Sequence, residues 1–260
     1  MTTSQDRANT PSGWDAVMYR SFAAMVRTFG IGAPDSFVHE ADGVVASVCP
    51  ATPERSVLNS VGYERPDGLS EALDEIARVY DDAGVDAWTV WVPEADHASA
   101  ELLERAGHLL DSRPEAMLMD LSQLGAPDAG DLEWVHDGPM EDMTTINDAA
   151  YGYPAGTFGR ALAETPDDAF RRYTAYLDGR AASVLGTLDT DEDCAILWVA
   201  TLPQAQGRGL SSRLLRLALD EARDRGCVTA TLQASPDGRP MYRRVGFQDL
   251  GAIHMWERRR

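Results

Sequence analysis

Apolar and polar positions alternate along this chain in two runs of the same plan. From residue 131, "DLEWVHDG" reads as an edge strand, and "PMEDMTTINDAAYG" as a helix with Pro139 suited to its first turn. Helical and loop segments run to about Asp168. Then "FRRYTAYLDGRAASVLGTLDTDEDCAILWVATLP" predicts two strands about Asp178-Gly179, an acidic turn and a long strand from Ala195. "SSRLLRLALDEARDRG" is apolar at helical spacing and ends at Gly226. A β-rich "VTATLQAS", a short helix "GRPMYRRVG" and a final strand or strand pair "FQDLGAIHMWERR" complete the run.

The first half repeats this order. "SFVHEADGVVASVCPA" and "RSVLNSVGYE" predict strands around a turn at Asp42-Gly43, and "LSEALDEIARVYDDAG" a helix ended by Gly84. "AWTVWVPE" follows as a strand, "ASAELLERAGH" as a short helix and "PEAMLMDLSQL" as a closing strand. The matched order, with Arg243-Arg244-Val245-Gly246-Phe247 against Glu104-Arg105-Ala106-Gly107-His108, predicts one α/β (α+β) plan present twice. The expected boundaries are a disordered lead-in over 1–13, a first copy over 14–124, a linker over 125–130 and a second copy over 131–260.

Composition narrows the function classes. No apolar run reaches the ~18 residues of a membrane helix, and the polar N-terminus lacks a signal-peptide core, so the expectation is cytoplasmic with no membrane partner. A formal net charge of −19 argues against nucleic acid, which needs a positive surface. It favours a cationic substrate by steering, though solubility alone also accounts for it. All 23 basic residues are Arg, which removes Lys nucleophiles and Schiff bases from consideration. Cys49, Cys194 and Cys227 are far apart, in apolar surroundings and without ligand spacing; they read as buried thiols, with no metal expected.

The chemistry concentrates at "TLPQAQGRGLSSRLL". A strand ending in Pro203 breaks into Gln206-Gly207-Arg208-Gly209 and enters a helix at once. The first amides of a helix lack internal partners and, with its dipole, make an anion site. Glycines let a phosphate approach and allow positive φ, while Ser211 and Ser212 can donate or act as N-caps. A Walker loop would need Lys, and a dinucleotide fingerprint a third glycine; both are missing.

With "RGCVTATLQAS" and "RPMYRRVGF" downstream, this segment resembles the GNAT superfamily of acyl-CoA-dependent N-acetyltransferases. The family's Gln/Arg-x-x-Gly-x-Gly/Ala loop matches at Gln206, Gly209 and Ser211, with Ser211 departing from the usual Gly/Ala, and Tyr242 to Phe247 looks like its Tyr-x-x-x-Gly-Phe segment. The resemblance covers about residues 131–257. It implies two tandem GNAT-like domains, each a mixed, mostly antiparallel twisted sheet flanked by helices. It implies that acetyl-CoA places its pyrophosphate on the amides of Gly207, Arg208, Gly209, Leu210, Ser211 and Ser212. The pantetheine would lie along Val199, Ala200 and Thr201. Tyr242 would protonate the leaving thiolate, since an ordinary tyrosine with pKa ~10 holds its proton at neutral pH. "NDAAYGYPAGTFG" would wall the acceptor pocket, making Tyr151, Tyr153 and Phe158 substrate contacts.

The first copy has "YERPDGLSEA" where the loop belongs; Pro66 and Asp67 make a rigid, amide-poor, negative entrance, so little or no CoA binding is expected there. No general base stands out. Asp189, Asp191 and Glu192 lie in the acidic turn, while His136 and His254 are isolated. The expected activity is acetyl transfer to a primary amine of a small molecule. The competing reading is an acyl-CoA-binding regulatory module without catalysis. The duplication lets a monomer suffice and leaves a homodimer open.

Overall fold

The computed structural model describes residues 16–126 and 130–260. The lead-in expected over 1–13, and residues 127–129 of the expected linker, lie outside the described residues. In chain order the first half is α1 (Ala16–Gly30), β1 (Phe37–Ala41), β2 (Val44–Val48), β3 (Ser60–Tyr63), α2 (Pro66–Asp82), β4 (Ala87–Pro93), α3 (His97–Arg105), β5 (Leu109–Ser112) and β6 (Glu115–Asp120). The second is β7 (Glu133–His136), α4 (Met140–Tyr151), α5 (Thr157–Ala161), β8 (Arg171–Leu177), β9 (Arg180–Thr190), β10 (Asp193–Thr201), α6 (Leu210–Asp224), β11 (Thr229–Ala234), α7 (Arg239–Val245) and β12 (Gln248–Arg259).

From β1 and from β8 onward the two halves follow one plan: three antiparallel strands, a helix, a parallel strand, a short helix and a closing region. Helix α6 shows why the local reading works. Leu210, Leu214, Leu215, Ala218, Leu219 and Ala222 form one buried stripe, and the intervening arginines and acids face outward. That stripe packs on the sheet with Tyr173, Leu185, Ile196, Ala230 and Leu232. Helix α2 does the same in the first half, with Leu69, Leu73, Ile76 and Tyr80 over β2, β3 and β4.

The closing strands are exchanged between the halves. The sheet runs β1-β2-β3-β4-β12-β6-β11-β10-β9-β8-β7. Strand β6, the end of the first half, pairs antiparallel with β11 through six residue pairs from Thr229↔Asp120 to Ala234↔Glu115. Strand β12 pairs with β6 over residues 248–252, passes a bulge at Gly251 (φ 126°), and then pairs with β4 from Ile253↔Pro93 to Arg259↔Ala87. The segment expected as a final strand or strand pair is thus one twelve-residue strand that serves both halves. Each half depends on the other for its last strand.

Helix α1, which the sequence reading left unassigned, seals the seam. Met18, Phe22, Met25, Val26 and Phe29 recur at helical spacing and are buried. They join Leu58 and Trp91 of the first half to Met143, Phe158 and Leu197 of the second in a single core. Ser21 donates from this helix to the buried Asp193 carboxylate, which also accepts from Thr229 and Thr231. Phe29 packs on Trp198 with ring centroids 5.4 Å apart.

The two copies also differ inside. Where the second has Phe247 after its short helix, the first has His108, 1% exposed and edge-on to Trp88 at 4.5 Å. Burial first, and the positive charge of Arg258 second, push its pKa down to about 4. Above the unfolded value, about 6.5, both states are neutral and the imidazole does not alter stability. Between that value and 4 the unfolded chain takes a proton that the native state refuses, so stability falls as pH falls. His108→Phe is expected to flatten this loss and to raise the urea midpoint at pH 5 by more than at pH 8. Equal shifts at both pH values would contradict it.

Candidate active site

Strands β10 and β11 are parallel and paired only at Asp193↔Thr229, Cys194↔Ala230 and Ala195↔Thr231. Beyond Ala195 they part, while β10 stays on β9 as far as Thr201. The edge of β10 facing the gap therefore has no ladder partner from Ile196 on. A bulge lies at the same place: three steps from Leu197 to Ala200 oppose two from Gly186 to Val184, and Trp198 takes φ 49°. A positive φ on a tryptophan stores roughly 1–3 kcal/mol, so the surrounding packing imposes it. Trp198 is held between Phe170 (4.7 Å, edge-on) and Phe29.

The gap opens into a cavity of about 1020 Å³. Val199, Ala200 and Thr201 line one wall; Gln206 and Ser211 stand at its loop end; Ser235 to Gly238, Met241 and Tyr242 form the opposite wall. Tyr151, Tyr153 and Phe158 line it as well. Scattered over 92 residues of sequence, these side chains share one space.

The glycine loop has the expected form. Gly207 and Gly209 take φ 76° and 74°, and a Cβ at Gly207 would meet nothing within 4 Å. Gly209 is the N-cap of α6, with no side-chain cap. Ser211 and Ser212, read as possible N-caps, are inside the first turn instead, and the Ser212 hydroxyl donates back to the Gly209 carbonyl at 3.0 Å. Among the described residues, the amides of 207–212 have no acceptor within the protein. Leu210 is buried against Ala182 and Ala205, so it offers the loop its backbone and not its side chain. Arg208 is exposed at the loop.

The equivalent entrance of the first copy carries charged side chains of its own. The Asp67 carboxylate accepts from the Gly68 amide at 3.1 Å, which puts an internal anion on the first turn of α2. Arg65 bridges Asp67 and Asp42 across the entrance. Leu103, a core residue, stands where the second copy has Tyr242, and Trp91 fills the space beside β3, its indole donating to Ser60 at 3.0 Å.

Helix α4 builds the aromatic wall through groups the sequence reading did not single out. Its Asp148 carboxylate accepts from the amides of Gly156 (2.7 Å) and Phe158 (2.9 Å), folding the following loop back on the helix. Tyr153 and Phe158 then stack at 5.9 Å, with Tyr151 6.1 and 6.5 Å from them. Tyr151 donates to the Val199 carbonyl at 3.3 Å and Asn147 to that of Trp198 at 3.4 Å, tying the wall to the bulge.

Tyr242 is 8% exposed, and its hydroxyl makes no hydrogen bond among the described residues. Burial first, and Tyr151 second, hold its pKa well above the usual tyrosine value, so it stays protonated through any ordinary assay range. Tyr151 is pushed up to about 12 by desolvation and by Tyr153; its ring is half exposed, so its own shift carries less weight. Burial also pushes the thiols of Cys194 and Cys227 upward, the latter to about 11, which leaves neither poised as a nucleophile.

The acidic turn does not reach this cavity. Asp189 is held by Arg225 in a bidentate pair (2.6 and 2.8 Å) and borders a separate pocket, while Asp191 pairs with Arg20 on the surface. His136 stacks on Tyr173, and His254 sits in β12 with its Nε2 unpartnered. None of these side chains lines the cavity.

The first half supplies the remaining wall: Phe29, Val57, Leu58, Trp91 and the stretch Leu110 to Pro114. No local motif marks these residues. They arrive because α1 crosses the seam and because β12 carries β5 to the mouth of the cavity through Met255↔Ser112 and Trp256↔Leu110.

Residues 140–247 match the model of the acetyltransferase (GNAT) family. An acetyltransferase of Agrobacterium fabrum is 39% identical over 54 residues, 20% of this chain; the match spans 39% of that relative's length. Two solved structures share the fold over nearly their full length. A GCN5-related N-acetyltransferase from Kribbella flavida is 16% identical with a TM-score of 0.64, covering 92% of this chain and 95% of its own. A tandem GNAT protein from the clavulanic acid biosynthesis pathway is 13% identical with a TM-score of 0.54, covering 95% and 96%.

Proposed function

We propose, from the match of residues 140–247 to the acetyltransferase (GNAT) family, that the protein is an acetyl-CoA-dependent N-acetyltransferase acting on a primary amine of a small molecule. The observation that carries this reading is the convergence of unpartnered loop amides, a split and bulged β10 and a protonated Tyr242 on one cavity.

The donor set fits acetyl-CoA. Six consecutive amides without internal acceptors, at the start of a fifteen-residue helix, suit a pyrophosphate, and the open space at Gly207 admits it. The free edge of β10 from Ile196 to Thr201 suits an extended amide-bearing chain, which pairs with it as an added strand would. The bulge at Trp198 and Val199 interrupts the ladder where the thioester would lie, leaving backbone amides to polarise its carbonyl. The neutral amine attacks that carbonyl, and the sulfur leaves with the electron pair of the broken C–S bond. The attacking nitrogen releases its surplus proton to solvent, while Tyr242 gives its proton to that sulfur and is reprotonated from solvent.

One binding site is expected, since Asp67 and Arg65 put their own charges at the first copy's entrance. Calorimetric titration of acetyl-CoA should give a stoichiometry near one, followed by release of free thiol when an amine panel is added. A stoichiometry of two would mean that the first copy also binds. Binding without turnover on any amine would favour the regulatory module.

A further inference from the structure

Three charged side chains line the cavity, Asp111, Arg113 and Asp237, and none has an ion-pair partner among the described residues. Asp237 stands in the loop between β11 and α7, on the wall beside Tyr242. Asp111 and Arg113 come from the first copy, at the end of β5, and sit on the side of the cavity that Trp91 and Leu58 share with Tyr153. We propose that Asp111 is the acceptor-recognition residue of the site, receiving on entry the ammonium group of an apolar or aromatic monoamine whose body packs on Tyr151, Tyr153 and Phe158; the ammonium then loses its proton to solvent before its nitrogen attacks the thioester. This inference rests on the acetyltransferase reading and deepens it by assigning the acceptor class.

Elsewhere at the seam, acidic groups are neutralised from within: Glu257 is taken by Ser56 and Arg259, and Asp193 by three hydroxyls. Among the described residues, the exposed Asp111 has neither a hydrogen bond nor a guanidinium at contact distance. Its pKa is raised, by desolvation first and by Glu257 second, with Arg259 opposing; a cation beside it would relieve both causes. The walls next to it are aromatic and apolar, and the Tyr153 ring already carries the Arg55 guanidinium over its face at 4.6 Å, a contact that a second cation can imitate. Arg113, two residues on and also unpaired, sets the charge limit. Its positive charge at the cavity disfavours a second positive group on the acceptor, so one ammonium is favoured over two.

The first copy then has a function despite the charges at its own entrance. It holds the charge that selects the acceptor, and the exchanged β12 delivers that charge to the other copy's cavity.

The test uses the full chain with acetyl-CoA bound, and phenethylamine, 2-phenylethanol and 1,4-diaminobutane as probes. Trp91 and Trp198 line the cavity and report binding by fluorescence. Phenethylamine is expected to bind about tenfold more tightly than the alcohol, a modest factor because Asp111 is partly solvated, and more tightly than the diamine. Asp111→Asn should remove the amine preference and leave affinity for the alcohol and for acetyl-CoA unchanged, while Asp111→Glu should retain it. An unchanged amine-to-alcohol ratio in Asp111→Asn would overturn the proposal. So would a wild-type protein that binds acetyl-CoA but not phenethylamine. Failure of acetyl-CoA itself to bind would instead strike the acetyltransferase reading, so the two failures are distinct.

Discussion

A Gly209→Val variant is expected to lose acetyl-CoA affinity by more than about 100-fold while still folding. Two effects separate here. The first is conformational: Gly209 sits at φ 74°, where a β-branched side chain is strained, at a stability cost of about 1–2 kcal/mol. The second concerns binding. A Cβ at Gly209 has only the Ser212 hydroxyl within 4 Å, at 3.8 Å, so the valine would stand in open space before the amides of α6. Each charge-assisted hydrogen bond lost there is worth about 1.5–3 kcal/mol, and two of them account for the predicted drop. Gly84→Val is the control. It imposes the same positive φ (70°) in open space at the end of α2, away from the cavity. Thermal unfolding of the ligand-free proteins should shift similarly in both variants, and calorimetry should show weakened acetyl-CoA binding in Gly209→Val alone. Similar affinities in the two variants would remove the loop from the binding site.

Tyr242→Phe is expected to lower kcat by roughly 10²–10³-fold with little change in acetyl-CoA affinity. The phenol makes no hydrogen bond inside the protein among the described residues, so its removal leaves no orphaned partner, and the ring's contact with Phe247 at 5.9 Å survives. Stability should therefore change by well under about 1 kcal/mol, which separates chemistry from packing. The raised pKa of Tyr242 adds a second readout. The group carries its proton at every pH below the ordinary tyrosine value, so wild-type kcat should rise as the amine loses its proton and show no descending limb below about pH 10. A descending limb at pH 8–9 would assign the acid to another group. A Tyr242→Phe variant with near-normal kcat would make Tyr242 a wall residue only.

Much of the site was legible because its chemistry is local. Glycines at 207 and 209 are dictated by backbone conformation over three residues, so the loop can be read from its own letters, as can the stripe of α6. The aromatic trio was recognisable as a group, although its cause, the Asp148 carboxylate bonded to two loop amides, looked like one acid among many in an acidic chain. The acidic turn yielded no base in the sequence for the same reason. Composition gathers Asp189, Asp191 and Glu192, and only geometry reveals that Arg225 and Arg20 occupy two of them away from the cavity.

The sequence by itself determined the element types, the two-fold repetition and the glycine loop at the start of α6. Each is fixed by periodicity or backbone freedom within some fifteen residues. Helix α1 was within the same reach, its stripe from Met18 to Phe29 being as regular as that of α6. The tertiary structure alone decided which sheet each closing strand joins. The alternation of "EAMLMD" or of "HMWERR" satisfies a pairing with either half equally, because a strand's pattern specifies a buried face and not a partner. From that choice follows the rest of the cavity: β5 comes to its mouth, α1 to its side, and Asp111 into view of Tyr153.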